Sequence, residues 1–162
     1  GTLKFLEQGN NERLVEIIKD HTNSDVFKIE AIEDYPEDYK DCCKRAKAEK
    51  ENNARPGLKQ YLDPFNDYKV VYLVYPNWYG TIPMPVLEQL ERIENWTGKI
   101  VMPFCTHEWS GAGDSELDIK RKCTGAQVCK ALAIRGCFVN SAANDVCQWI
   151  DKQLSFFDEQ QH

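Results

Sequence analysis

Between Asn11 and Asp20 the apolar residues Leu14, Val15, Ile17 and Ile18 fall on one face, ringed by Glu12, Arg13, Glu16 and Lys19, which predicts a helix. From Asp25 to Ile32 the period shortens. Val26, Ile29 and Ile32 interleave with polar residues around Phe27, the pattern of a partly exposed edge strand. Asp34 to Gln60 is polar and charged, a long connection holding a short helix over Pro36 to Asn52 that stops before the turn formers Arg55-Pro56-Gly57. Lys69 to Tyr75 is a continuous apolar, β-branched and aromatic run, so it reads as a strand buried on both faces and ended by Pro76. Pro85 then opens a helix whose buried stripe is Val86, Leu87, Leu90 and Ile93, closed by Gly98. Lys99 to Cys105 repeats the buried-strand pattern. After a loop from Thr106 to Asp114, a helix starts at Ser115 with Asp118 in a capping-box relation and ends near Cys123. Ala131 to Ile134 is a short strand, and Ala142 to Leu154 a closing amphipathic helix with Val146, Trp149, Ile150 and Leu154 inward.

Strand and helix alternate throughout, which implies right-handed crossovers and an α/β fold: a three-layer, doubly wound parallel sheet. A chain of 162 residues is expected to form it as one domain, residues 1–162. Ligands in this architecture sit beyond the carboxyl ends of the strands, so the informative loops follow Leu6, Tyr75 and Cys105.

Composition removes several function classes. The formal charge of -6 and the absence of a long apolar run argue against nucleic-acid and membrane partners. The cysteines number seven, an odd count, and none form a CxxC pair, so neither a disulfide framework nor a zinc site is expected. A reducing, cytoplasmic setting follows from that. Gly1 is not an initiation residue, which leaves room for an upstream segment.

The segments YPNWYGTIPMPVLEQLE (75 to 91), GKIVMPFCTHEWSGAGDSELDIKR (98 to 121) and LAIRGCFVNSAANDVCQWI (132 to 150) resemble a flavodoxin-like family of small bacterial flavoproteins. ENNARPGL (51 to 58) is similar to the same family's long connection. The resemblance implies a five-stranded sheet ordered 2-1-3-4-5, FMN as cofactor, and three loops that hold it. It also implies a redox partner protein or a reduced nicotinamide as electron source, and admits a homodimer.

In the second loop Pro76 and Gly80 bracket Asn77, Trp78 and Tyr79, setting two aromatic faces and several amides at the sheet edge, as an isoalloxazine ring requires. The alternative is that Trp78 and Tyr79 only cover the core. In the third loop Ser110, Gly111 and Gly113 permit close backbone approach, and Thr106, His107 and Glu108 offer polar groups to the flavin. His107 is placed either to tune the reduced flavin or simply to bond backbone. Trp109 stands where the family usually has a small residue, and it either caps the ring or obstructs it.

In the first loop the family carries a hydroxyl-rich turn, S-x-T-G-N-T, that wraps the FMN phosphate at a helix N-terminus. Here Leu6-Glu7-Gln8-Gly9-Asn10-Asn11 takes its place, after a strand of only Thr2 to Leu6. Gln8, Gly9, Asn10 and Asn11 are the candidate phosphate ligands, through amides and side-chain N–H groups. Cys105 ends a strand at the expected site without an identifiable base partner, and the other cysteines read as packing residues.

Two readings follow. One is an FMN-binding redox protein, an electron carrier or small NAD(P)H-linked oxidoreductase; the other is an interaction module of the same fold that has lost the cofactor. A receiver domain would need clustered acidic residues beyond Glu7, and a thioredoxin-like enzyme would need a CxxC.

Overall fold

The computed structural model describes residues 2–5, 10–62 and 68–160, the first of these as backbone only. The elements in chain order are β1 (Thr2–Phe5), α1 (Asn10–Thr22), β2 (Val26–Ile29), α2 (Tyr39–Glu51), β3 (Val70–Pro76) and α3 (Met84–Arg92). There follow β4 (Ile100–His107), α4 (Ser115–Lys122), β5 (Gln127–Val128), β6 (Leu132–Arg135), a 3-10 turn (Gly136–Ser141) and α5 (Ala143–Gln160).

All strand pairs are parallel, in the order β2-β1-β3-β4-β5, with β6 also beside β4. The short β1 is interior, between β2 and β3, and β2 is an edge. Where five strands were expected the described residues form six, because the last sheet position is shared by two short strands along β4. Between them the Ala131 N–H leaves the ladder to donate to Glu116 Oε1 at 2.5 Å, and that contact accounts for the break.

The pleat divides β3 and β4 between two cores. Val71, Leu73, Tyr75, Val101 and Cys105 pack with Leu87, Leu90 and Ile119 of α3 and α4. Tyr72, Val74, Met102 and Phe104 pack with Leu14 and Ile18 of α1 and Val146 and Ile150 of α5. Burying both faces is what makes these strands continuous apolar runs.

Three local expectations are corrected. The helix after β3 ends at Arg92, short of Gly98: Ile93 turns extended, and the Asn95 side chain accepts from the Thr97 N–H at 3.0 Å in an Asx turn. The capping box at Ser115 does not form. Its hydroxyl is buried against the Tyr75 hydroxyl at 2.8 Å, while Asp118 accepts from the Thr81 hydroxyl. The closing helix continues past Leu154 to Gln160.

Candidate functional site

β3 and β4 reach the carboxyl edge together, with Pro76 opposite Thr106. Pro76 ends the strand because it lacks an N–H, and the Asn77 amide closes the ladder on Thr106 O at 2.8 Å. The Asn77 side chain then joins the two loops. Its Oδ1 accepts from the Gly80 N–H at 2.8 Å, and its Nδ2 donates to Gly111 O at 2.7 Å and Ser110 Oγ at 3.0 Å.

Trp78 and Thr81 exchange backbone hydrogen bonds of 3.0 and 3.2 Å around Tyr79 (φ 51°) and Gly80 (φ 86°). Two successive left-handed residues are what a type I′ turn requires. The turn directs Tyr79 toward α2 and Trp78 toward the segment before it. Trp78 sets its ring at 76° to Tyr35, 5.1 Å away, and the Tyr79 hydroxyl donates to Cys43 O at 3.0 Å. Tyr35 is in turn held by Glu49 at 2.6 Å and lies under the Arg45 guanidinium at 4.0 Å.

On the other side of the edge, three chain segments converge. Asn11, the second residue of α1, is 2% exposed, and its Oδ1 accepts from the Thr106 hydroxyl at 2.8 Å. Both polar groups are thus engaged with each other. Asn10 is exposed beside Gly136, where a Cβ would run into Asn10 Nδ2 and stand 3.1 Å from Glu108 Oε1. The start of α1 and the segment after β4 meet the segment after β6 here through the side chains of Asn10 and Glu108. Gln8 and Gly9 lie outside the described residues.

His107 ends β4, and its register partner on β6 is Arg135. Trp109 is 79% exposed, with the Arg135 guanidinium carbon 3.2 Å from its ring centroid. In the register pair, His107 Nδ1 and Arg135 Nε are buried with no hydrogen-bond partner among the described residues. Buried nitrogens without partners represent a cost that a hydrogen-bonding partner would remove. Burial chiefly holds the His107 pKa below its ordinary 6.5, with Arg135 pushing the same way and Glu108 opposing. The sequence reading missed Arg135 and Gly136, and the one available signal was an Arg-Gly pair directly after a short apolar strand.

Cys105 is fully buried, and burial pushes its thiol up to about 12, which makes it a packing residue and not a nucleophile. Among the described residues no His, Cys, Asp and Glu side chains cluster to hold a metal ion, and no helix is long and apolar enough to cross a membrane.

An exposed indole stacked on Arg135, whose neighbour His107 also has an unpartnered nitrogen, fits the ring end of a flavin, which needs a flat apolar contact and polar partners at its rim. Ser110 and Glu108 are exposed at the same edge, and Gly111 is half-buried.

The flavodoxin family model matches residues 4–153. A candidate flavoprotein of Bacteroides uniformis superposes with a TM-score of 0.79 at 22% identity, covering 93% of this chain and 96% of its own. A candidate flavoprotein of Bacteroides eggerthii gives 0.72 at 20% identity, covering 90% and 95%. A flavoprotein of Lactobacillus acidophilus solved in complex with FMN gives 0.71 at 18% identity, covering 89% and 95%. No curated protein matches by sequence. With the strand order, the ligand edge and a family match spanning nearly the whole chain in agreement, the chain belongs to the flavodoxin family.

Proposed function

We propose that the chain binds FMN at the carboxyl edge of β1, β3 and β4 and works as a redox protein. It is either an electron carrier or a small oxidoreductase drawing electrons from a reduced nicotinamide or a partner protein. The observation that carries this reading is the exposed Trp109 ring resting on Arg135, whose Nε and the Nδ1 of its register partner His107 are unpartnered among the described residues. The FMN-bound Lactobacillus acidophilus flavoprotein, similar in fold, supports the choice of ligand.

Bound FMN would supply reversible electron transfer. The chain's own residues divide the remaining work. Trp109 offers the ring an apolar face and keeps water from it, and His107, neutral at pH 7, presents a nitrogen at the rim without placing a second cation beside Arg135. Arg135 supplies a positive charge that favours an electron-rich ligand. Asn77 holds the second and third loops in one geometry, so the edge is preorganised. Trp78 and Tyr79 act behind the ring site, through Tyr35 and α2.

Calorimetry with FMN tests this directly. Stoichiometric binding is expected, and Trp109→Ala should weaken it by about 1 to 2 kcal/mol, roughly five- to thirtyfold, whereas Trp78→Ala should alter stability more than affinity. Absence of heat at high micromolar FMN would favour the interaction-module reading instead.

A further inference from the structure

A cleft of about 340 Å³ opens between the end of α2, the segment that follows it, the start of α3 and the last turn of α4. None of its lining residues belongs to the Trp109 edge. Lys50, Arg55, Arg121 and Lys122 line it, together with Asp118, the polar Asn53 and Thr81, and the apolar Met84 and Leu87. Against these four cations stand two carboxylates: Asp118, and Glu91, which pairs with Arg55 and with Lys122 at 2.9 Å each. Two positive charges remain in excess within a chain whose net charge is -6. Random placement of surface charge does not favour such a local reversal of sign, and like charges held this close repel one another.

Three of the four cations, Lys50, Arg55 and Lys122, are also held in place. Arg55 makes a two-pronged contact with Glu91, at 2.9 and 3.0 Å, and donates to Asn53 Oδ1 at 2.9 Å. Lys50 donates to Tyr79 O, and Arg121 stands 4.0 Å from Asp118. A preorganised set of cations on an apolar floor recognises an anion with an organic body.

We infer that this cleft is a second binding site, one that takes a small phosphomonoester. Its dianion matches the two surplus charges and meets Lys50, Arg121 and Lys122, while the organic part rests on Met84 and Leu87. The volume lies at the lower end for ligand pockets, which suits a sugar phosphate and is too small for a folded partner. Lys50 also fixes the carbonyl of Tyr79, so occupancy reaches the second loop. The inference does not depend on flavin binding.

Amide chemical shifts followed during titration with inorganic phosphate, ribose 5-phosphate and ribose test it. The expected result is saturable shifts at Asn53, Thr81, Arg121 and Lys122, with ribose 5-phosphate binding more tightly than phosphate and ribose not at all. The double variant Lys50→Gln, Arg121→Ser should weaken binding at least about tenfold with its unfolding midpoint unchanged. Should that variant unfold, Arg121→Glu alone, at a side chain 69% exposed, should weaken binding comparably. The proposal is overturned by absence of shifts at tens of millimolar phosphate, by equal shifts with chloride at matched ionic strength, or by unchanged affinity in the folded variants. Shifts confined to residues 8–11 would overturn it too, since the anion would then sit at the start of α1.

Discussion

His107 sits among three influences of different sign, and their removal one at a time reads the site without any ligand. Burial and Arg135 lower its pKa while Glu108 raises it. Glu108→Gln should therefore drop the His107 pKa further, and Arg135→Gln should raise it, as followed by the imidazole proton shifts. A histidine with a depressed folded pKa adds stability above its ordinary 6.5 that is lost as pH falls through the folded value, so the Arg135→Gln variant should lose less on acidification. His107 was legible in the sequence as a polar residue of the third loop, and the structure carries β4 two residues past Cys105 to include it. Arg135 was not legible, because its importance comes from pairing across β4 and β6 with a residue far away along the chain.

The second and third loops behave as one element. Asn77 ties them through Gly111 and Ser110, and the Asp114 N–H donates to Gly80 O at 2.7 Å. Gly113, at φ 55°, lies where a Cβ would strike the Gly80 carbonyl, whereas at Gly111, φ 68°, a Cβ would meet nothing within 4 Å. Both Gly→Ala changes incur the left-handed backbone cost of about 1 to 2 kcal/mol, and Gly113→Ala adds a steric penalty of about 1 kcal/mol or more. Urea unfolding should rank Gly113→Ala below Gly111→Ala accordingly. The glycines were legible as points of close approach; at Gly113 the neighbour is the Gly80 carbonyl of the second loop, while the space at Gly111 is open. The same applies to Trp78 and Tyr79. Their place after a buried strand was readable; that the turn aims them at Tyr35 and Cys43 was not, since both are distant in sequence.

Across the whole molecule, Glu91 links three parts: α3, on which it lies, Arg55 after α2, and Lys122 at the end of α4. The Arg55 hydrogen bonds, followed by those from Lys122, hold its carboxyl down to about 2 from an ordinary 4.5. A depressed carboxylate contributes stability present above 4.5 and lost as pH falls from there toward about 2. The stability difference between the wild type and Glu91→Gln should thus be level above pH 4.5 and shrink through that window, as measured by denaturant midpoints at each pH. The alternation of apolar runs determined the α/β class, the parallel sheet and the edge at which loops gather, because burial on one face or two is written into local spacing. It also placed both aromatics and the glycines in loops at that edge. Only the tertiary structure decided how they are used. Ser115 turned from a cap to a partner of Tyr75, Asn11 from an open helix terminus to Thr106, and Arg135 came to lie under Trp109 beside His107. Each of those pairings joins residues on different elements, and no local pattern of polarity carries the register or packing angle that brings them within bonding distance.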